Sequence, residues 1–118
     1  MAQNVEFTKD NFKEQKAELK EVLNAMEEGD QFFNGFEVMW KEAIPFYLQA
    51  NDFNPNNALL NFKLGACYLH STERNKALAY LEKSLELNPS VDPRLNYYLG
   101  QAYHLAYRFD DAIKYYSK

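Results

Sequence analysis

The stretch that decides the fold is LNFKLGACYLHSTERNKALAYLEK, residues 60–83. Laid without a gap over LNYYLGQAYHLAYRFDDAIKYYSK, residues 95–118, it is identical at eight of 24 positions, at an offset of 35. The shared pairs are Leu60/Leu95, Asn61/Asn96, Leu64/Leu99, Gly65/Gly100, Tyr68/Tyr103, Ala77/Ala112, Tyr80/Tyr115 and Lys83/Lys118. A third copy lies upstream, with Gly29 standing 36 residues before Gly65, Ala43 34 before Ala77 and Pro55 34 before Pro89. A period in this range marks stacked supersecondary units. Glycine inside a helix costs about 1 kcal/mol relative to alanine, so three such glycines at a fixed period require a compensating contact. Gly65 lets one helix of a unit approach the next closely, Ala77 does the same from the other side, and Tyr68 and Leu81 fill the space beside that contact.

Breakers and periodicity place the helices. Residues 9–34 read as one long helix, with Phe12, Leu19, Leu23, Met26 and Phe33 at helical spacing and Thr8 or Asp10 as its cap. GFEVM, 35–39, is a connection. A second helix runs from about Trp40 to Phe53; Pro45 is tolerable in it only if it begins near Trp40. NPNN, 54–57, breaks the chain and offers Asn caps to a third helix from Ala58 to about His70. Polar STERN, 71–75, precedes a fourth helix from about Lys76 to Leu87. After NPSVDP, 88–93, Asp92 is placed as a cap and Pro93 as a first helical residue for a fifth helix over about 94–106. A sixth starts near Phe109. No segment shows the alternation of a strand.

Leu-Gly followed three residues later by an aromatic (Leu64-Gly65-Tyr68, Leu99-Gly100-Tyr103), a second helix with small residues around a large one (Ala43, Tyr47, Ala50; Ala77, Leu81, Ser84; Ala112, Tyr116), and a closing Pro55 or Pro89 resemble the tetratricopeptide repeat (TPR). The first unit departs from the pattern: Glu28 stands where Leu is usual, and its turn is two residues longer, with Trp40 in the place of the turn aromatic. Arg74 holds that place in the second unit. The resemblance implies an all-α, right-handed superhelical array of three units in one domain over 1–118. Residues 9–21 extend the first helix, 22–57 form repeat 1, 58–92 repeat 2, and 93–118 repeat 3, which stops partway through its second helix. That truncation points to a piece of a larger scaffold or envelope protein. More loosely, the wording is similar to TPR segments at the N-termini of Bacteroidetes cell-envelope proteins that carry β-propeller-like and OmpA-like domains. That likeness implies a periplasmic, outer-membrane-associated setting; without it a cytoplasmic one is expected.

Cys67 and His70 share a helix face and pose the question of a metal site or a nucleophile–base pair. Zinc needs about four ligands at recognisable spacing, and neither CxxC nor HxxxH occurs. Cys67 aligns with Ala102, the place of a small packing residue, and a buried cysteine behaves as one. We therefore expect no catalytic residue, no metal and no cofactor. Paired acids such as Glu27–Glu28 and Asp110–Asp111 read as solvated helix faces.

The resemblance implies that the first helix of each unit lines a concave groove. The positions carried over are Leu23, Met26, Asp30, Phe33 and Asn34 in the first unit and Leu59, Phe62, Lys63, Ala66, Leu69 and His70 in the second. The third supplies Arg94, Tyr97, Tyr98, Gln101, His104 and Leu105. Asp30 and Ala66 stand where a chaperone-type carboxylate clamp has Asn, which argues against that specificity and for an apolar peptide or amphipathic helix. The expected function is non-catalytic protein binding; the alternative is self-assembly through an uncapped terminal face or the long first helix.

Composition agrees. At 47% hydrophobic residues, the 118-residue chain can fill one core. A net charge of −4 offers no basic patch for nucleic acid. No apolar run approaches the roughly 18 residues that a bilayer span needs, so no membrane insertion is expected, and a single cysteine forms no internal disulfide.

Overall fold

The computed structural model describes residues 3–106, and within them the protein is all-helical. Five α-helices follow in chain order: α1 Lys16–Phe33, α2 Trp40–Phe53, α3 Ala58–Leu69, α4 Ala77–Leu87 and α5 Leu95–Leu105. They pack as consecutive antiparallel neighbours, α1 on α2 and α3 on α4, with α2 against α3 and α4 against α5 joining the pairs. This is the arrangement of a TPR-like helical array. The sixth helix expected near Phe109 and the uncapped terminal face lie outside the described residues.

The glycines sit where the helices of a pair meet. A Cβ built on Gly65 would stand 2.5 Å from Leu81 Cδ2, and one on Gly29 would stand 2.7 Å from Tyr47 Cε1. Both facing side chains are fully buried, as are Ala43, Ala50 and Ala77 beside them. The absent Cβ atoms are thus filled by Tyr47 and Leu81, which compensates for glycine in the helix interior. Ser84 occupies a small-residue position and donates its hydroxyl to the Ala58 carbonyl at 2.9 Å, so its buried polar atom is satisfied.

Helix ends follow local chemistry. Asn57 caps α3, accepting the Leu60 N–H at 2.9 Å. Pro45 lies in the second turn of α2, and the carbonyl it cannot serve belongs to Lys41, an exposed residue. Asp92 accepts the Arg94 N–H at 2.8 Å in a turn that leads into α5, which starts at Leu95 rather than at Pro93.

The largest departure from expectation is at the N-terminus. The first helix begins at Lys16, after a 3-10 turn over Lys13–Gln15, and not near residue 9. Thr8 caps only a local turn, accepting from Asn11 N–H at 3.2 Å. Upstream residues form an extended strap tied to the α2–α3 connection. Val5 N–H donates to Asn56 O at 2.7 Å. Val5 O in turn accepts from the side-chain amides of Asn54 and Asn57, each at 2.9 Å. Asn4 Oδ1 accepts the Ala58 N–H at 2.7 Å. Phe12 leaves the helix register and packs on Phe53, ring centroids 4.7 Å apart. Buried Asn54 and Asn57 need partners, and the strap supplies them through Val5, while Phe12 against Phe53 turns the chain before α1.

Candidate functional site

The first helices α1, α3 and α5 carry the groove positions that the sequence nominates, with Asn34, His70 and Arg94 capping their ends, and packing sorts most of these into three groups. Phe33, Phe62, Ala66 and Leu69 are buried. Phe62 is wholly covered: the Tyr98 ring stacks on it at 5.7 Å and 16°, and the Arg94 guanidinium lies 5.3 Å from its centroid. Phe33, Phe62 and Ala66 are the floor under the surface rather than the surface that a partner meets, and only Leu69 reaches an opening. Period arguments miss this because the covering residues belong to the next unit.

A second group forms a closed polar link between α1 and α3. Lys63 Nζ pairs with Asp30 Oδ1 at 2.8 Å, and the Tyr47 hydroxyl donates to the same oxygen. The ammonium also lies 5.8 Å from the Phe33 centroid and 5.7 Å from that of Tyr47. Burial first, and then the bond to Asp30, hold the Tyr47 phenol above its ordinary pKa, so it stays neutral. Asp30 thus occupies both groups that face it, and Lys63 is not free to hold a ligand carboxylate. Half-buried Met26 packs beside this link against the core.

The third group is solvent-facing. Leu59 on α3 and Tyr97 on α5 are exposed. Where α3 and α5 end, Leu69, His70, Gln101 and His104 meet Arg74 and Leu105 around a cleft of about 390 Å³. This brings together five of the nominated residues, the buried Leu69 among them. His70 is fixed by three contacts. Its Nδ1–H donates to Ala66 O at 2.8 Å, its ring stacks on Trp40 at 4.0 Å and 10°, and its edge meets Tyr98 at 5.5 Å. Gln101 Nε2 reaches the Tyr97 hydroxyl at 3.5 Å, and its Oε1 is buried with no hydrogen-bond partner among the described residues. Arg74 makes no ion pair among the described residues. The cleft therefore combines apolar leucines with side-chain donors.

Sequence reading missed Trp40 and Arg74 as parts of this surface. Both were read as turn residues. The signal for Trp40 was the long first turn, which lets its ring reach the end of the next unit's first helix.

Cys67 does not join His70. It is fully buried, and burial pushes its thiol up to about 12, so the thiolate is absent near neutral pH. Among the described residues no group of three or more His, Cys, Asp or Glu is placed to hold a metal ion. Likewise none of their helices is long and apolar enough to cross a membrane.

Comparison with known families matches residues 58–91 to the tetratricopeptide repeat. No curated protein matches the chain. The matched segment spans α3, α4 and the connection that follows. The pair built on the Gly65–Leu81 contact is thus a tetratricopeptide repeat, a unit that generally serves protein–protein interaction and not catalysis.

Proposed function

We propose that the protein binds a segment of a partner protein across α3 and α5, in the cleft bordered by Leu69, His70, Arg74, Gln101, His104 and Leu105. The carrying observation is the composition of that cleft. Apolar Leu69 and Leu105 flank it, Arg74 supplies a cation, and the rigidly stacked His70 presents a preset edge. Exposed Leu59 and Tyr97 extend the surface along the same two helices. Such a site fits a helix or extended strand that places an apolar side chain in the cleft, with carbonyl or carboxylate oxygens facing Arg74. A chaperone-type clamp on a terminal carboxylate is not part of this reading, because Lys63 is engaged by Asp30. The larger scaffold or envelope setting carries no weight in it.

The test is peptide selection from a random phage-displayed library against the chain, followed by titration of a selected peptide into wild type and variants. Tyr97→Ala and Leu105→Ser should each weaken binding at least about tenfold, the effect of losing one anchor of a small interface, with unchanged circular dichroism. A selected peptide whose affinity ignores both changes overturns the assignment.

A further inference from the structure

Two surfaces outside the cleft have complementary chemistry. The first is the α1–α2 connection. Phe36 is 111% exposed, and Val38 and Met39 are also exposed, with Glu37 between them. The knob is held in shape, not left loose: Met39 N–H donates to Phe32 O at 3.0 Å, and Phe32 stacks on Phe46. The second is a groove of about 630 Å³ between the N-terminal strap and the start of α1. Phe7, Leu19 and Leu23 give it an apolar lining, and Lys9, Lys16 and Lys20 stand around it. None of these three ammonium groups has an ion pair among the described residues. The volume lies in the range, about 300–1,000 Å³, of pockets that take a ligand.

One surface offers apolar side chains flanking a carboxylate. The other offers an apolar lining rimmed by ammonium groups. The knob does not reach the groove of its own chain, because the groove's lining ends at Asn24 and the rest of α1, to Phe33, separates them by about 14 Å at 1.5 Å per residue. We propose that a second copy of this chain seats its Phe36–Met39 knob in the groove, with Glu37 facing the lysines. The groove lies along the first half of α1 and the knob just past its C-terminal end, so two chains in antiparallel register make the contact twice and close as a two-fold dimer. The contact uses neither the α3–α5 cleft nor its residues, so it stands or falls apart from peptide binding.

Sedimentation velocity of the chain over a concentration series at low ionic strength tests this. The expected result is a shift from 13.9 kDa toward twice that mass, weakened by added salt. Phe36→Ser and Leu23→Ser should each raise the dimer dissociation constant at least about tenfold. Both side chains are solvent-facing, so the fold should survive, and thermal melts check it. Lys20→Glu and Glu37→Lys should each weaken the dimer, and combining them should restore part of the loss. A 13.9 kDa species at every concentration, or a dimer indifferent to Phe36→Ser and Leu23→Ser, overturns the proposal.

Discussion

Replacing Gly65 with alanine separates helix propensity from packing more sharply than any other single change. By propensity alone, Gly→Ala inside α3 stabilises by about 1 kcal/mol. The structure opposes that gain. The new Cβ would lie 2.5 Å from Leu81 Cδ2 and 2.6 Å from Cγ, whereas ordinary contact begins at 3.4 Å. Leu81 is fully buried, so its branched end has no open space to move into, and the Ala77 carbonyl stands at 3.4 Å behind the contact. Overpacking of this kind costs about 1–3 kcal/mol, and the two-carbon collision places it at the upper end. The net expectation is a loss of about 2 kcal/mol. Urea unfolding followed by circular dichroism measures it. Leu81→Ala alone should cost about 2–5 kcal/mol through the cavity it leaves. The double variant should lose clearly less than the sum of the singles, because each change relieves the other. A Gly65→Ala chain as stable as wild type, or stabilised by the propensity gain, refutes the close-contact account of the repeat glycines.

Other outcomes follow from individual contacts. Cys67 should resist thiol-reactive dye in the native state near pH 8 and react fully on unfolding, because its thiol is buried and held at about 12; prompt native labelling would show that the helix pair opens. Asn57→Ala removes both the α3 cap and the amide that holds Val5 O. It should cost about 1–2 kcal/mol and speed hydrogen exchange at Val5 N–H; unchanged exchange there would mean that the strap does not depend on Asn57. At Asp92, burial pulls the pKa up, but hydrogen bonds from the Arg94 guanidinium and backbone N–H, with its charge, outweigh this and hold the carboxyl below its ordinary value. Its stabilisation is therefore present above the unfolded value of about 3.9 and is lost as pH falls through the lower folded value. Melting temperature should drop less steeply for Asp92→Asn than for wild type between about pH 5 and pH 2; parallel slopes would contradict this.

The repeat made most of the fold legible. A glycine at fixed period, a small residue one helix later and an Asn-Pro break are local and periodic signals, and they located α2 at both ends and α3, α4 and α5 to within a residue or two. The start of α1 was not legible. Apolar spacing runs through Phe12, but Phe12 packs on Phe53 instead, and Asn54 and Asn57 hold Val5 in an extended strap; contacts over about 40–50 residues leave no periodic trace. The candidate surface was legible by helix but not by residue. Register placed Phe62 on the groove side of α3, yet whether it meets solvent depends on Tyr98 and Arg94 from the next unit. Trp40 beside His70 was likewise hidden, because the long first turn sets its reach.

The most direct test of binding by the α3–α5 surface is chemical-shift mapping of the isotopically labelled chain with a selected peptide. The account predicts perturbations concentrated at Leu59, His70, Tyr97, Gln101, His104 and Leu105, with α2 and the outer face of α4 unmoved. Perturbations confined to α2 and α4, with the cleft residues unchanged, would contradict it.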